Sequence, residues 1–589
     1  MRVILRLLVF VKKRWATLLL GFICITVSTV GGLVIPKLLG TGIDTAISSG
    51  SKSTIVILAL IILGTTLLRS AGRFGDTYIT QVVSQQASYD VRNALYDHLH
   101  RLGFAYYDTA QTGQIMSRCT ADIEAARMFL SAGLLNLIQI FIIVFGIGTI
   151  LLILNWKLAL MTLTFMPAIF WQTLFVSKKL QPIWMKVQQQ IALLGVILQE
   201  SLFGVKVIKA FSLQVKENHK FYTAAANLYD EQIAAARLQA IYAPILTLLI
   251  GVPSVLVLWF GGKQAMAGNL TIGSITQFIL YLGTLSGFVS RLGRLANMIS
   301  RTISAGHRIF EILDTEPLVK DKPGAIQLGR ADGNVSFKDV SFSYGSTAPL
   351  LHDINISVKP GQLVALLGDS GSGKTTVINL ISRFYDVTGG SITIDGTDIR
   401  DVTLSSLRKN VVIAQQDVFL FSSTIRENIT YGAPDATMGQ IEAAAKAAQI
   451  HDFIMSLPEG YDTRVGERGV TLSGGEKQRV VIARSILVDP SILILDDSTS
   501  SVDSETEYLI LRALDELIKG RTTFVITHRL KIIQNADLIL VLKDGQIAER
   551  GTHDSLIAMN GLYRETYEGQ LATNINQEEN PEGGVMNVQ

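Results

Sequence analysis

The run Gly368-Asp369-Ser370-Gly371-Ser372-Gly373-Lys374-Thr375-Thr376 has the residue types and spacing to hold phosphate. An apolar stretch, residues 363–367, precedes it, and a helix-like segment, residues 377–384, comes after it. In that context backbone N–H groups turn inward around phosphate oxygens, and a helix N-terminus adds positive potential. Lys374 then reaches the β- and γ-phosphates of a nucleotide, and the Thr375 hydroxyl ligates Mg2+. A second piece is residues 491–497, an apolar strand ending in Asp496 and Asp497. A carboxylate at the end of such a strand, beside a phosphate loop, holds Mg2+ directly or through water, which is the role expected of Asp496. Asp497 is placed to position or polarise an attacking water. A third piece, Leu472-Ser473-Gly474-Gly475-Glu476-Lys477-Gln478-Arg479, offers a nest of donors ahead of a helix; alone it could be an ordinary N-capped helix. Finally, residues 335–344 alternate like a strand and end on Tyr344. By itself this is a routine strand tyrosine, but its place ahead of the phosphate loop suits stacking on adenine.

These pieces need an α/β scaffold. From residue 334 to about 572, short β-rich runs alternate with helical ones, as in a nucleotide-binding domain. Residues 314–333, with two prolines and two glycines, read as a linker, and the Asn- and Glu-rich tail, residues 573–589, as disordered.

Residues 1–313 have another character. Over all 589 residues, hydrophobic types make up 48% and charged ones 17%, and mean hydropathy is +0.36. That balance is too apolar for an ordinary soluble protein and points to a membrane portion. The net charge of +3 gives no case for a nucleic-acid partner. Two cysteines, Cys24 and Cys119, are too few for a metal site, and their settings make a disulfide unlikely. The basic segment 1–14 reads as an interfacial helix leading into an uncleaved span, residues 15–36. Further charge-free runs cover residues 54–68, 128–156, 158–177, 238–262 and 264–290. A span needs about 20 apolar residues. The run 54–68 must therefore extend through residues 69–80, with Arg69 and Arg73 snorkelling or facing protein.

Lys and Arg concentrate in the N-terminus and in residues 69–127 and 178–237, which puts both termini on the cytoplasmic side. The long polar segments are helix-periodic and must reverse; the expected turns are residues 111–114 and 202–205. No ionisable residue interrupts the clean runs, which favours lipophilic or amphipathic cargo over proton coupling. Asn136, Gln139, Gln172 and Gln277 are expected to hydrogen-bond between helices.

Taken together, the phosphate loop (Walker A, 368–376), Leu472–Gln478 (the signature) and residues 492–496 (Walker B) resemble an ATP-binding cassette ATPase. Gln416, residues 463–469, residues 500–503 ending in Asp503, and His528 match further motifs of that family. Six spans ahead of one cassette resemble a bacterial multidrug or lipid exporter half-transporter. The fold implied is a six-helix α-helical transmembrane domain fused to an α/β P-loop nucleotide-binding domain. The resemblance implies ATP and Mg2+ as cofactors, the cytoplasmic membrane as location, and a second half-transporter as partner. Two cassettes would pack head to tail, each ATP lying between one Walker A loop and the other chain's Ser473, Gly474, Gly475 and Glu476. Tyr344 would stack on adenine, Gln416 would sense Mg2+, and His528 would contact the γ-phosphate. Residues 112–118 and 204–211 would be the coupling helices. One position departs from the family: Asp497 stands where glutamate is usual, about 1.5 Å shorter in reach. This resembles the weak half of a heterodimer, though a homodimer stays open. A lipid flippase of the same architecture and an ATP-gated, non-transporting membrane sensor are the alternatives.

Overall fold

The structure is a computed structural model that describes residues 2–49, 52–345, 349–414, 418–466, 469, 471–497, 504–527 and 529–569. The chain divides into two compact units. One takes Met1–His100 and Gln111–Thr315; the other takes Arg101–Ala110 and everything from Glu316.

The first unit is helical. Among the described residues, five helices are long and apolar enough to cross a membrane: Trp15–Ser48, Lys52–Arg101, Thr112–Leu163, Gln214–Met266 and Ile272–Val289. The short run 54–68 is indeed extended by residues 69–80, because Lys52–Arg101 is one continuous 50-residue helix. The run 158–177 does not form one helix, so it is absent from the five. A helix ends at Leu163, Thr164 breaks the regular pattern, and the next helix begins at Phe165. Pro167 is the local cause: it has no N–H, and its ring opposes the carbonyl of Leu163. The preceding turn is set at Asn155, whose φ of −161° is not helical. Its side chain donates to Gln264 Oε1 at 2.7 Å and accepts from Leu158 N at 3.1 Å.

Helices Phe165–Phe203 and Gln214–Leu256 form a hairpin through the short helix Val205–Ala210. Gln172, buried on the first arm, donates to the Tyr242 carbonyl on the second at 2.9 Å. Gln139 donates to Thr29 Oγ1 at 3.5 Å. These are the inter-helix bonds expected of intramembrane amides. The remaining long turn lies upstream of the expected 111–114: the helix ends at Arg101, and a short separate helix, Phe104–Thr109, follows. Gly103 and Ala110, both extended, bracket that short helix, whereas Thr112–Ser117 is already helical again.

The second unit carries two sheets. The first runs in the order β2 (Leu351–Val358), β1 (Val335–Phe342), β4 (Gly389–Ile394), β5 (Thr397–Asp398), all antiparallel. The second has the order β10 (Gln546–Gly551), β9 (Leu538–Lys543), β3 (Leu363–Leu367), β8 (Thr522–Thr527), β7 (Ile492–Asp497), β6 (Val411–Ala414). It is parallel except for β10. Its central strands are apolar at nearly every position because both faces are covered. Ala365, Leu367, Leu493, Leu495 and Val525 face one core, with helices Gly474–Val488 and Ser504–Ile518. Val364, Leu366, Ile492, Ile494, Phe524 and Ile526 face the other, with β1, β2 and helix Lys374–Ile381.

Candidate nucleotide site

The parallel sheet sets the site. Asp496 pairs with Ile526, and Leu366 pairs with Ile526 from the other side, so the three stand in one row across β7, β8 and β3. At ordinary strand spacing this puts Asp496 about 10 Å from the strand that enters the phosphate loop. At the C-terminal ends of these strands, burial pushes the Lys374 ammonium below the usual lysine range, and the charges of Asp369 and Asp496 act the other way.

The loop is shaped by its glycines. Gly373 has φ 104°, and a Cβ there would lie 2.5 Å from Leu351 Cδ2. Lys374 opens the next helix, and its Nζ donates to the carbonyls of Gly368 and Asp369, both at 2.8 Å. The lysine thus bridges its own loop and stays half-buried. Ser372 Oγ is buried and has no hydrogen-bond partner among the described residues. An unfilled buried hydroxyl beside a lysine and a helix N-terminus fits an anionic ligand such as a nucleotide phosphate.

The two threonines separate. Thr375 is exposed, while Thr376 is buried with its Oγ1 3.2 Å from the Tyr344 hydroxyl. Tyr344 is thereby tied to the helix that leaves the phosphate loop. Two rings meet it edge-on, Phe342 at 4.8 Å and Tyr385 at 5.1 Å between centroids. Asp369, Ser370 and Gly371 are exposed.

The Ser473–Glu476 turn is a helix cap. Ser473 N donates to Glu476 Oε2 at 2.8 Å, and Glu476 N donates to Ser473 Oγ at 3.4 Å. Glu476 therefore has a structural use in this capping box. The adjacent glycines differ. A Cβ on Gly475 would sit 2.1 Å from Thr506 Cγ2 of the next helix, whereas one on Gly474 would meet nothing within 4 Å among the described residues. Ser473 and Gly474 are exposed.

For Asp497 the strand backbone is described, paired with Thr527. Gln416, Asp503 and His528 lie outside the described residues; so does the tail, 573–589. Sequence reasoning missed a contact to Arg101–Ala110. Phe104 stacks on Phe384, with centroids 4.0 Å apart, and the Tyr385 hydroxyl donates to the Asp108 carboxylate. The aromatic pair 384–385, directly after the phosphate-loop helix, was the signal available.

Comparison with known proteins agrees with both units. Residues 18–289 match the ABC transporter transmembrane region, and residues 351–500 match the ABC transporter family model. The chain is 37% identical to YgaD of Bacillus subtilis (strain 168), an ATP-binding/permease protein named for multidrug export, over 94% of this chain and 96% of that one. It is 35% identical to an ATP-dependent lipid A-core flippase of Syntrophus aciditrophicus (strain SB), over 87% of this chain and 85% of that one. A solved bacterial Atm1-family ABC exporter with ATP bound shares the fold at TM-score 0.77 and 30% identity, covering 94% of this chain and 98% of that one. The chain belongs to the ATP-binding cassette transporters of the exporter type, with the membrane region and the ATPase on one polypeptide.

Proposed function

We propose that the chain is one half of a dimeric exporter that moves lipophilic or amphipathic molecules, drugs or lipids, across the bacterial cytoplasmic membrane at the expense of ATP, with both termini cytoplasmic. The chain is an ATPase coupled to transport. The observation that carries the reading is the row formed by Leu366, Ile526 and Asp496, which brings a half-buried lysine, a carboxylate and an exposed Thr375 to the C-terminal end of the parallel strands.

In this reading residues 1–313 are a six-span membrane domain, 314–333 the linker and 334–572 the cassette. ATP supplies the phosphoanhydride bond. Lys374 and the loop N–H groups hold its β- and γ-phosphates, and Tyr344 stacks on the base. Thr375, Gln416 and Asp496 hold Mg2+. Asp497 orients the water, and His528 contacts the γ-phosphate. Ser473, Gly474, Gly475, Glu476 and Asp503 complete the site from the facing cassette. Closing two cassettes over nucleotide turns the spans outward, a coupling that depends on differential affinity between two states.

The lipid flippase reading is favoured by the naming of one relative and differs only in cargo. The test is the purified chain in proteoliposomes, with movement of a fluorescent lipid and of a lipophilic cationic dye monitored separately. ATP-dependent movement of either establishes export and names the class. ATP hydrolysis with movement of neither, at any lipid composition, would point instead to the non-transporting sensor. Run on the chain alone, the assay also bears on its partner. Ordinary turnover that is lost in Asp497→Asn means a working homodimer; weak turnover restored by a second half-transporter means a heterodimer.

A further inference from the structure

We propose that Tyr385 is a positioning residue for the nucleotide: it fixes the plane of Tyr344, and Asp108, in the helical turn between two membrane-unit helices, fixes Tyr385. The inference rests on the reading of Tyr344 as the base-stacking residue.

Three rings form a cluster in which Tyr344 is edge-on to both of the others. Tyr344 meets Phe342 at 85° and Tyr385 at 86°, and Phe342 meets Tyr385 at 57° with centroids 5.7 Å apart. Edge-to-face packing aligns the positive rim of one ring with the negative face of another, so each ring restrains the tilt of its neighbour. Tyr344, two residues beyond β1, is restrained once more by its hydroxyl's bond to Thr376, and it stays 37% exposed. The ring is thus held by its neighbours while part of the residue stays accessible to a planar ligand.

Tyr385 is oriented in turn by its hydroxyl, which donates to the Asp108 carboxylate. Phe104, one helical turn before Asp108, stacks on Phe384 at an interplanar angle of 24°. The turn Phe104–Thr109 therefore grips two residues just beyond the phosphate-loop helix, one by a ring and one by a charge-assisted bond. Chain continuity does the rest: only Leu102 and the extended Gly103 separate this turn from helix Lys52–Arg101. A change in that helix that withdraws Asp108 frees Tyr385, and with it the ring against which the base would stack. By linkage, a bound base must favour the engaged turn by the same factor.

The test uses the full chain in lipid nanodiscs, measuring the KM for ATP and kcat for Tyr344→Ala, Tyr385→Ala, Tyr385→Phe, Asp108→Ala, Asp108→Asn and the double variant Tyr344→Ala/Tyr385→Ala. Loss of an aromatic–base stack should raise KM about tenfold in Tyr344→Ala. If Tyr385 acts through Tyr344, Tyr385→Ala raises KM with little change in kcat, and the double variant is no worse than Tyr344→Ala. Tyr385→Phe and Asp108→Ala give matching, smaller rises, and Asp108→Asn, which keeps an acceptor oxygen, restores KM. Multiplied effects in the double variant, or an unchanged KM in Asp108→Ala and Tyr385→Phe, would overturn the proposal while leaving the base-stacking reading in place. An unchanged KM in Tyr344→Ala would remove that reading, and the proposal with it.

Discussion

The two glycine-rich turns of the cassette look alike in sequence and are built on different principles. In the phosphate loop the backbone is the device. Gly368, Gly371 and Gly373 have φ of 139°, 84° and 104°, and Lys374 folds back to bond two loop carbonyls. In the Ser473–Glu476 turn the conformation is ordinary: an extended N-cap, a capping box, and a 15-residue helix. One of its glycines is there for packing, since Gly475 lies where Thr506 leaves no room for a Cβ, while Gly474 is exposed with nothing near it among the described residues. The first turn is tied to itself by its lysine. The second is a helix end whose first residues are exposed. The comparison teaches that a glycine can serve as a hinge, as clearance for a neighbouring helix, or as clearance for a ligand, and that spacing alone does not say which.

The largest effect should come from Lys374→Ala. It removes the charge aimed at the phosphates, and ATP turnover should fall by about 100-fold or more. Thermal stability without nucleotide should change little, because the two loop hydrogen bonds lost offset the cost of a half-buried ammonium. Gly475→Ala and Gly474→Ala then separate the two clearances. The first should lower stability by about 1–3 kcal/mol, through the clash with Thr506. The second should leave the melting temperature unchanged or slightly raised, since alanine is the better helix former, and any loss of turnover would then report on a ligand or partner. Glu476→Ala should cost about 0.5–1 kcal/mol by removing half of the capping box, and Glu476→Gln should cost almost nothing. The smallest effect concerns pH. The Lys374 pKa is lowered on folding, so its contribution to stability in the free chain improves as pH rises through that value toward the ordinary lysine range. Phosphate binding restores the charge, so calorimetry at alkaline pH should show proton uptake with ATP that is missing in Lys374→Ala.

Much of the cassette could be read from the chain because its signals are local. A glycine loop between an apolar strand and a helix, and an apolar strand ending in Asp496, carry their geometry within a few residues. The row that joins Leu366 to Asp496 through Ile526 needs strand order, which brings together residues far apart along the chain. The capping role of Glu476 was open to a sequence reading, as a serine with a glutamate three residues on, but the signature match drew attention to ligand contact instead. The turn at Phe104–Thr109 lies several residues from the expected one because the glycine at 113 is the more conspicuous breaker, although Gly103 and Ala110 do the bending. The division of run 158–177 at Thr164 was foreshadowed by Pro167, which an apolar count does not register. The link from Asp108 to Tyr385 spans 277 positions and leaves no periodic trace.

The central claim is that each nucleotide site is shared between two cassettes, a closed phosphate loop on one and an open helix end on the other. The most direct measurement pairs two defective chains. One carries Lys374→Ala and the other Gly474→Asp, each with a different affinity tag, and mixed dimers are isolated by both tags in turn. Each variant dimer alone should trap almost no nucleotide. The mixed dimer has one site in which an intact loop faces an intact helix end, and it should trap about one nucleotide per dimer. If mixed dimers form but trap no more nucleotide than either parent, the site is not shared, and the outward-facing Gly474 needs another explanation.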